Sequence, residues 1–168
     1  MSNPYVLIET SDGDMLVELF EAEAPVSVAN FLRYADAGHY DGTIFHRVVR
    51  NFVIQGGGYD RDLNKKPAQP PIANEAHNKL SNTHGAVAMA RAPEKDSASD
   101  EFFINAADND ALDHQDKTDE AYGYAVFGRV VEGLDVLKKI NWKVVKPRSG
   151  FDELPVDTVT IVSVRRFD

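Results

Sequence analysis

The stretch richest in chemically useful side chains is Phe45-His46-Arg47-Val48-Val49-Arg50-Asn51-Phe52-Val53-Ile54-Gln55-Gly56-Gly57-Gly58. It sets a cation, a primary amide and large aromatics on two neighbouring β-prone runs. A guanidinium stays charged and offers a rigid fork of donors, and apolar walls would exclude water around it. Strand alternation predicts Phe45, Arg47 and Val49 on one face, and Phe52 and Ile54 opposite Val53 and Gln55. On residue types alone, an ordinary sheet with one salt-bridging arginine fits this stretch as well.

Other chemistries find less support. His39, His46, His77, His84 and His114 lack the i, i+4 helical pairing or cysteine companions of a persuasive metal site. Asp108-Asn109-Asp110-Ala111-Leu112-Asp113 fails as a calcium loop, because Leu112 and Asp113 fill places that need an oxygen ligand and a glycine. Gly56-Gly57-Gly58 has no following Lys-Ser/Thr, so it is not a phosphate loop. Pro67 to Pro71 reads as a surface loop rather than a polyproline ligand. No nucleophile–base pair suggests a hydrolase. No metal and no cofactor are expected.

The elements that must position these residues are short. Tyr5–Ile8 and Met15–Phe20 flank Ser11-Asp12-Gly13-Asp14 and predict a hairpin. A helix is predicted from Pro25 to Ala37, with Val28, Phe31, Leu32 and Ala35 in one stripe and Gly38 as the stop. Strand-like runs follow at Thr43–Val49, Phe52–Gln55, Ala86–Ala90, Glu101–Asn105, Tyr124–Val131 and Thr158–Val164. Residues 106–123 read as a polar, acidic loop. A short helix spans Leu134–Ile140, with Leu134, Leu137 and Ile140 on one side. Seven or eight strands and two helices without βαβ alternation predict a mainly antiparallel sheet or barrel.

The 168 residues fit a single domain, 1–168, with 43% hydrophobic and 27% charged residues. Eighteen Lys and Arg against 27 Asp and Glu give a formal charge of −9. No basic cluster offers a surface for nucleic acid, and the acidic balance favours solubility. There are no cysteines, which excludes disulfides and thiolate chemistry. No apolar run reaches the roughly 20 residues of a membrane span. Nor does Met1-Ser2-Asn3-Pro4 open a secretory signal, so a cytoplasmic monomer is expected.

The Phe45–Gly58 stretch resembles the cyclophilin signature. Asn74-Glu75-Ala76, Gly85–Ala92, Ser99–Ile104 and Val126-Phe127-Gly128 extend the resemblance, in order, to the bacterial branch, from about residue 5 to residue 165. The resemblance implies a closed eight-stranded antiparallel β-barrel capped by two α-helices, with a hydrophobic groove on its outer surface. It implies a peptidyl-prolyl cis/trans isomerase acting on proline-containing peptides and unfolded proteins. On the matching positions, Arg47 would be the catalytic arginine, and Phe52, Val53, Phe103 and Leu112 the proline pocket. Gln55 and the main chain around Ala90, Arg91 and Ala92 would contact the substrate backbone. Tyr124 stands where other members carry histidine.

These roles have a physical basis. Amide resonance sets a barrier of roughly 18–20 kcal/mol to rotation, and X–Pro exchange takes tens to hundreds of seconds uncatalysed. In the twisted transition state the prolyl nitrogen regains its lone pair and accepts a hydrogen bond, which it cannot do when planar. A guanidinium aimed at that nitrogen binds the transition state preferentially.

Three positions depart from the family pattern. Glu101 replaces the usual Gln; it can only accept hydrogen bonds when ionised, and it would either pair with Arg47 or sit partly exposed with little effect. Ala111 replaces the Trp of members strongly inhibited by cyclosporin, which predicts weak cyclosporin binding. Val53, in place of the frequent Met, shortens one pocket wall. The competing reading is a proline-peptide-binding or chaperone-like module with weak turnover on the same fold.

Overall fold

The computed structural model describes residues 2–168. Ten strands and two α-helices follow in the order β1 (Tyr5–Thr10), β2 (Gly13–Leu19), α1 (Pro25–Asp36), β3 (Arg47–Val49), β4 (Val53–Gly56), β5 (Ala86–Met89), β6 (Phe102–Asn105), β7 (Val126–Glu132), α2 (Leu134–Asn141), β8 (Val145–Arg148), β9 (Phe151–Pro155) and β10 (Ile161–Phe167). Eight strands form one curled sheet in the order β10-β1-β2-β7-β5-β6-β4-β3, and its pairs are antiparallel.

Alternation builds the core. Val6 and Ile8 on β1 and Met15, Val17 and Leu19 on β2 are fully buried on the concave face. Helix α1 covers one end of the curl with Val28, Phe31, Leu32 and Ala35. Phe31 lies 5.1, 5.3 and 5.2 Å from the rings of Tyr40, Phe102 and Phe127. Pro25 opens α1, where its missing N–H costs nothing. The chain leaves α1 through Gly38 at φ +72. Helix α2 covers the other end with Leu137 and Ile140, whereas Leu134 is 43% exposed rather than sharing their side.

The expected barrel closure is incomplete. The edges, β3 and β10, do not form a ladder; a seam joins the segments before them. It consists of the isolated bridge Ile44–Thr160, with Phe45 N–H donating to Val159 O (3.1 Å) and Ile161 N–H to Thr43 O (2.7 Å). Strand geometry lapses at Phe45 and His46, and this also corrects the predicted alternation. Phe45 points into the core, its ring 6.1 Å from Phe102, while Arg47 sits on the outer face. Phe52 lies in the turn before β4 and joins Val53 on the outside instead of opposing it.

The β8–β9 hairpin escaped the sequence reading. Its turn, Ser149-Gly150, has both residues at positive φ (52 and 88), the geometry of a two-residue hairpin turn. Pro147 inside β8 argues against a strand, and the hairpin is too exposed to show strict alternation.

Gly56 is required by contact: a Cβ there would fall on the Ile44 carbonyl and 3.0 Å from Phe45 Cα. We expect Gly56→Ala to lower unfolding stability by about 1–3 kcal/mol, read as a shift in denaturant midpoint; an unchanged midpoint would show that this backbone relaxes.

Candidate active site

One cross-strand row carries the site. Arg47 on β3 pairs with Gln55 on β4, Gln55 with Phe103 on β6, Phe103 with Ala88 on β5, and Ala88 with Val126 on β7. Residues opposite one another share a face, so a cation, an amide and an aromatic lie side by side. Ala86, Ala88 and Ala90 pack with Phe103 in the outer apolar cluster, and Phe103 and Ala90 line a depression of about 370 Å³. Arg47, Phe52, Val53 and Gln55 line one side, and Ala90, Arg91, Leu112 and Tyr124 the other. Tyr124 meets Phe103 edge-on at 5.6 Å.

The rim is fixed by side-chain hydrogen bonds to backbone. Arg91 donates to the carbonyls of Gly123 (3.1 Å), Ala92 (3.1 Å), Pro93 (3.0 Å) and Asp119 (2.8 Å), with its guanidinium 4.8 Å from the Tyr124 ring centre. Its charge is therefore spent on holding the rim. Elsewhere on the rim, Asn109 donates to Phe52 O (2.9 Å) and Asn105 Oδ1 (2.8 Å), and Tyr124 N–H donates to Leu112 O (2.9 Å). These bonds seat the short 3₁₀ turn Asp110–Leu112, so the predicted loop 106–123 is an ordered rim.

Arg47 is 42% exposed and held on two sides: Nη1 donates to Gln55 Oε1 (3.3 Å), and Nε faces Glu153 Oε1 of β9 at 3.4 Å. Its guanidinium carbon lies 6.0 Å from the Phe52 ring centre.

Of the predicted residues, Ala92 and Glu101 line an adjoining depression that shares Gln55, Ala90 and Arg91 with the first. Ala111 is exposed on the 3₁₀ turn and lines neither. Glu101 does not pair with Arg47, correcting one expectation. Its Oε1 accepts from Gln55 Nε2 (3.0 Å) and faces His46 Nε2 at 3.2 Å, and its side chain is 19% exposed. Its Oε2 lies where a Cβ on Gly58 would be, 2.5 Å away, so Gly58 makes room for the carboxylate. His46 is buried behind Tyr59 and Phe151, at 4.8 and 5.8 Å between ring centres.

Sequence reading missed His46, Glu153 and Asn109 as parts of the site. His46 adjoins Arg47 in the motif but its sequence context offers no partner, and Glu153 arrives from a hairpin about a hundred residues away in the chain. Among the described residues no cluster of three or more His, Cys, Asp or Glu could hold a metal ion.

Residues 5–166 match the family model described as "Cyclophilin type peptidyl-prolyl cis-trans isomerase/CLD". The chain belongs to the cyclophilin family. Among its relatives, a peptidyl-prolyl cis-trans isomerase of Streptomyces antibioticus is 49% identical over 160 residues, 95% of this chain and 96% of that protein. Peptidyl-prolyl cis-trans isomerase B of Escherichia coli is 44% identical over 95% of this chain and 97% of its own length. A cyclophilin type isomerase of Cryptosporidium parvum, crystallised in the presence of the dipeptide Ala-Pro, superposes with a TM-score of 0.81 at 24% identity. That match covers 98% of this chain and 99% of the other, and it shows the shared fold.

Glu101 makes the stability of this cyclophilin depend on pH. Burial pushes its carboxyl up, but the hydrogen bond and charge of His46, with the Gln55 amide, outweigh burial and hold it below the ordinary value. A depressed folded value means stability that is complete above the unfolded value of about 4.3 and lost as pH falls through the folded value. Between pH 7 and pH 3, unfolding stability is expected to fall less steeply in Glu101→Gln than in wild type; parallel slopes in denaturant titrations would exclude this contribution.

Proposed function

We propose that this cyclophilin catalyses peptidyl-prolyl cis-trans isomerisation in the groove built on Arg47, acting on proline-containing peptides and unfolded chains. The observation that carries the assignment of Arg47 is the state of its guanidinium. Nε lies against Glu153 and Nη1 donates to Gln55, while Nη2 has no hydrogen-bond partner among the described residues. A tethered cation with an uncommitted NH₂ group, at the mouth of an apolar depression, suits an acceptor that exists only in the transition state.

In this reading the proline ring rests against Phe103 and Val53, with Phe52, Leu112 and Tyr124 as walls. Exclusion of water strengthens the bond from Nη2 to the prolyl nitrogen as the amide twists. One N–H of Gln55 is taken by Glu101, and the other is free for a substrate carbonyl. Main-chain groups around Ala90, Arg91 and Ala92 fix the chain on one side of the rotating bond, so twisting is confined to the other.

A binding module with weak turnover would be favoured if Glu101 quenched Arg47. The carboxylate instead bonds to Gln55 and His46, which supports catalysis. Ala111 leaves the rim without an indole that could add contact area and an N–H donor, so cyclosporin affinity is expected to be weak; sub-micromolar binding in a titration would contradict that.

The deciding experiment is the cis-to-trans exchange rate of a short proline peptide with wild type and Arg47→Ala. A charge-assisted bond of roughly 1.5–3 kcal/mol predicts a loss of about 10- to 150-fold in kcat/KM, with unchanged thermal unfolding. Full activity in a folded Arg47→Ala would remove the arginine from the mechanism. No acceleration by wild type would replace catalysis with binding.

A further inference from the structure

Glu101 has a feature that a substrate contact does not explain: one oxygen, Oε1, faces two nitrogens at once, Gln55 Nε2 at 3.0 Å and His46 Nε2 at 3.2 Å. An ionised carboxylate only accepts hydrogen bonds. Both nitrogens must therefore be donors, and this fixes two states that side-chain outlines leave open. His46 turns Nε2, as an N–H donor, towards the carboxylate. Gln55 turns its NH₂ to Glu101 and its carbonyl oxygen to Arg47, where it accepts from Nη1 at 3.3 Å. The flipped amide would aim a donor at the guanidinium and an acceptor at the carboxylate, and lose both bonds.

We propose that Glu101 is a positioning residue for Arg47, acting through the amide of Gln55, with His46 as the clamp that holds the carboxylate in place. The inference rests on Arg47 being the catalytic residue. The line of contacts runs His46–Glu101–Gln55–Arg47, from a buried ring to a half-exposed cation.

Three observations support it. His46 is 6% exposed, its Nδ1 is buried without a hydrogen-bond partner, and Tyr59 and Phe151 pack against the ring, so its one polar contact is Glu101. Gly58 is the residue type that leaves space for Oε2. Glu153 approaches Arg47 at Nε, and the one side-chain hydrogen bond of Nη1 among the described residues is to Gln55. With Gln at position 101, the amide could present either its oxygen or its nitrogen to Gln55, so only Arg47 would oppose the flipped orientation of Gln55. The carboxylate removes that freedom.

A double-mutant cycle tests the proposal, with kcat/KM for a proline peptide and thermal unfolding measured on each protein. Glu101→Ala is expected to lower kcat/KM by about 3- to 10-fold in the wild-type background, mainly through kcat. In a Gln55→Ala background, where there is no amide to orient, the same substitution is expected to change kcat/KM by less than about 2-fold. A role limited to holding the fold together would lower activity by the same factor in both backgrounds, and that result overturns the proposal, as does unchanged activity in Glu101→Ala. Should Glu101→Ala fail to fold, Glu101→Gln preserves shape and enters the same cycle; a smaller loss confined to the Gln55 background is expected, and equal factors or no loss again overturn it. The underlying reading fails separately: an inactive wild type, or a fully active Arg47→Ala, removes the isomerase assignment before the cycle is run.

Discussion

The structure depends on a sheet that is apolar on both faces where β4, β6, β5 and β7 run side by side. The concave face carries Ile54, Phe102, Ile104, Val87 and Phe127 into the main core, and the convex face carries Val53, Phe103, Ala88 and Val126 into a second cluster. Burial on one face drives folding; the other face would be a liability in water if left flat. Here it is narrowed to a groove, because the 3₁₀ turn at Asp110–Leu112, the Arg91-tied loops and Tyr124 roof its margins. What remains open is the depression of about 370 Å³ with a cation at its edge.

That arrangement explains why polar side chains crowd the margins rather than the floor. Asn105 and Asn82, both buried, bond to each other (3.0 Å), and Asn105 also reaches the Ala86 carbonyl (3.0 Å). Asn74 ties the Ala76 amide and the Gly123 carbonyl together (2.8 and 3.0 Å). The bonds to Ala86, Ala76 and Gly123 satisfy backbone that would otherwise be buried unpaired. Net worth per bond is modest; their effect lies in leaving the rim few alternative conformations.

Much of this was legible in the sequence, for identifiable reasons. The β1–β2 hairpin alternates and is closed by a tight turn, α1 carries a clear apolar stripe, and β4 to β7 are short apolar runs bounded by turn residues or loops. The Arg47, Gln55 and Phe103 row was foreseeable residue by residue, though not as a row, because strand order is a long-range property. The seam at Ile44–Thr160 and the contact of Glu153 with Arg47 were not legible. Both join segments about a hundred residues apart through single contacts, and the hairpin bearing Glu153 hides behind Pro147. Phe45 misled for the opposite reason: strict alternation was extended through two residues where the strand geometry lapses. For Glu101 the sequence posed the right question, and only the positions of His46 and Gln55 decide between pairing with Arg47 and pairing beside it.

Adjacent residues on β6, Phe102 and Phe103, point to opposite faces, one into the core and one into the groove. The groove floor is thus the reverse side of the core, and its amides can meet solvent only when the whole sheet opens. The rim hangs from discrete side-chain bonds and can detach piece by piece. Hydrogen exchange would therefore divide the same groove into two kinetic classes, a floor that opens with global unfolding and a rim that opens locally. A ligand in the groove spans both, so it is held against a rigid plate by margins that can still give way to admit it.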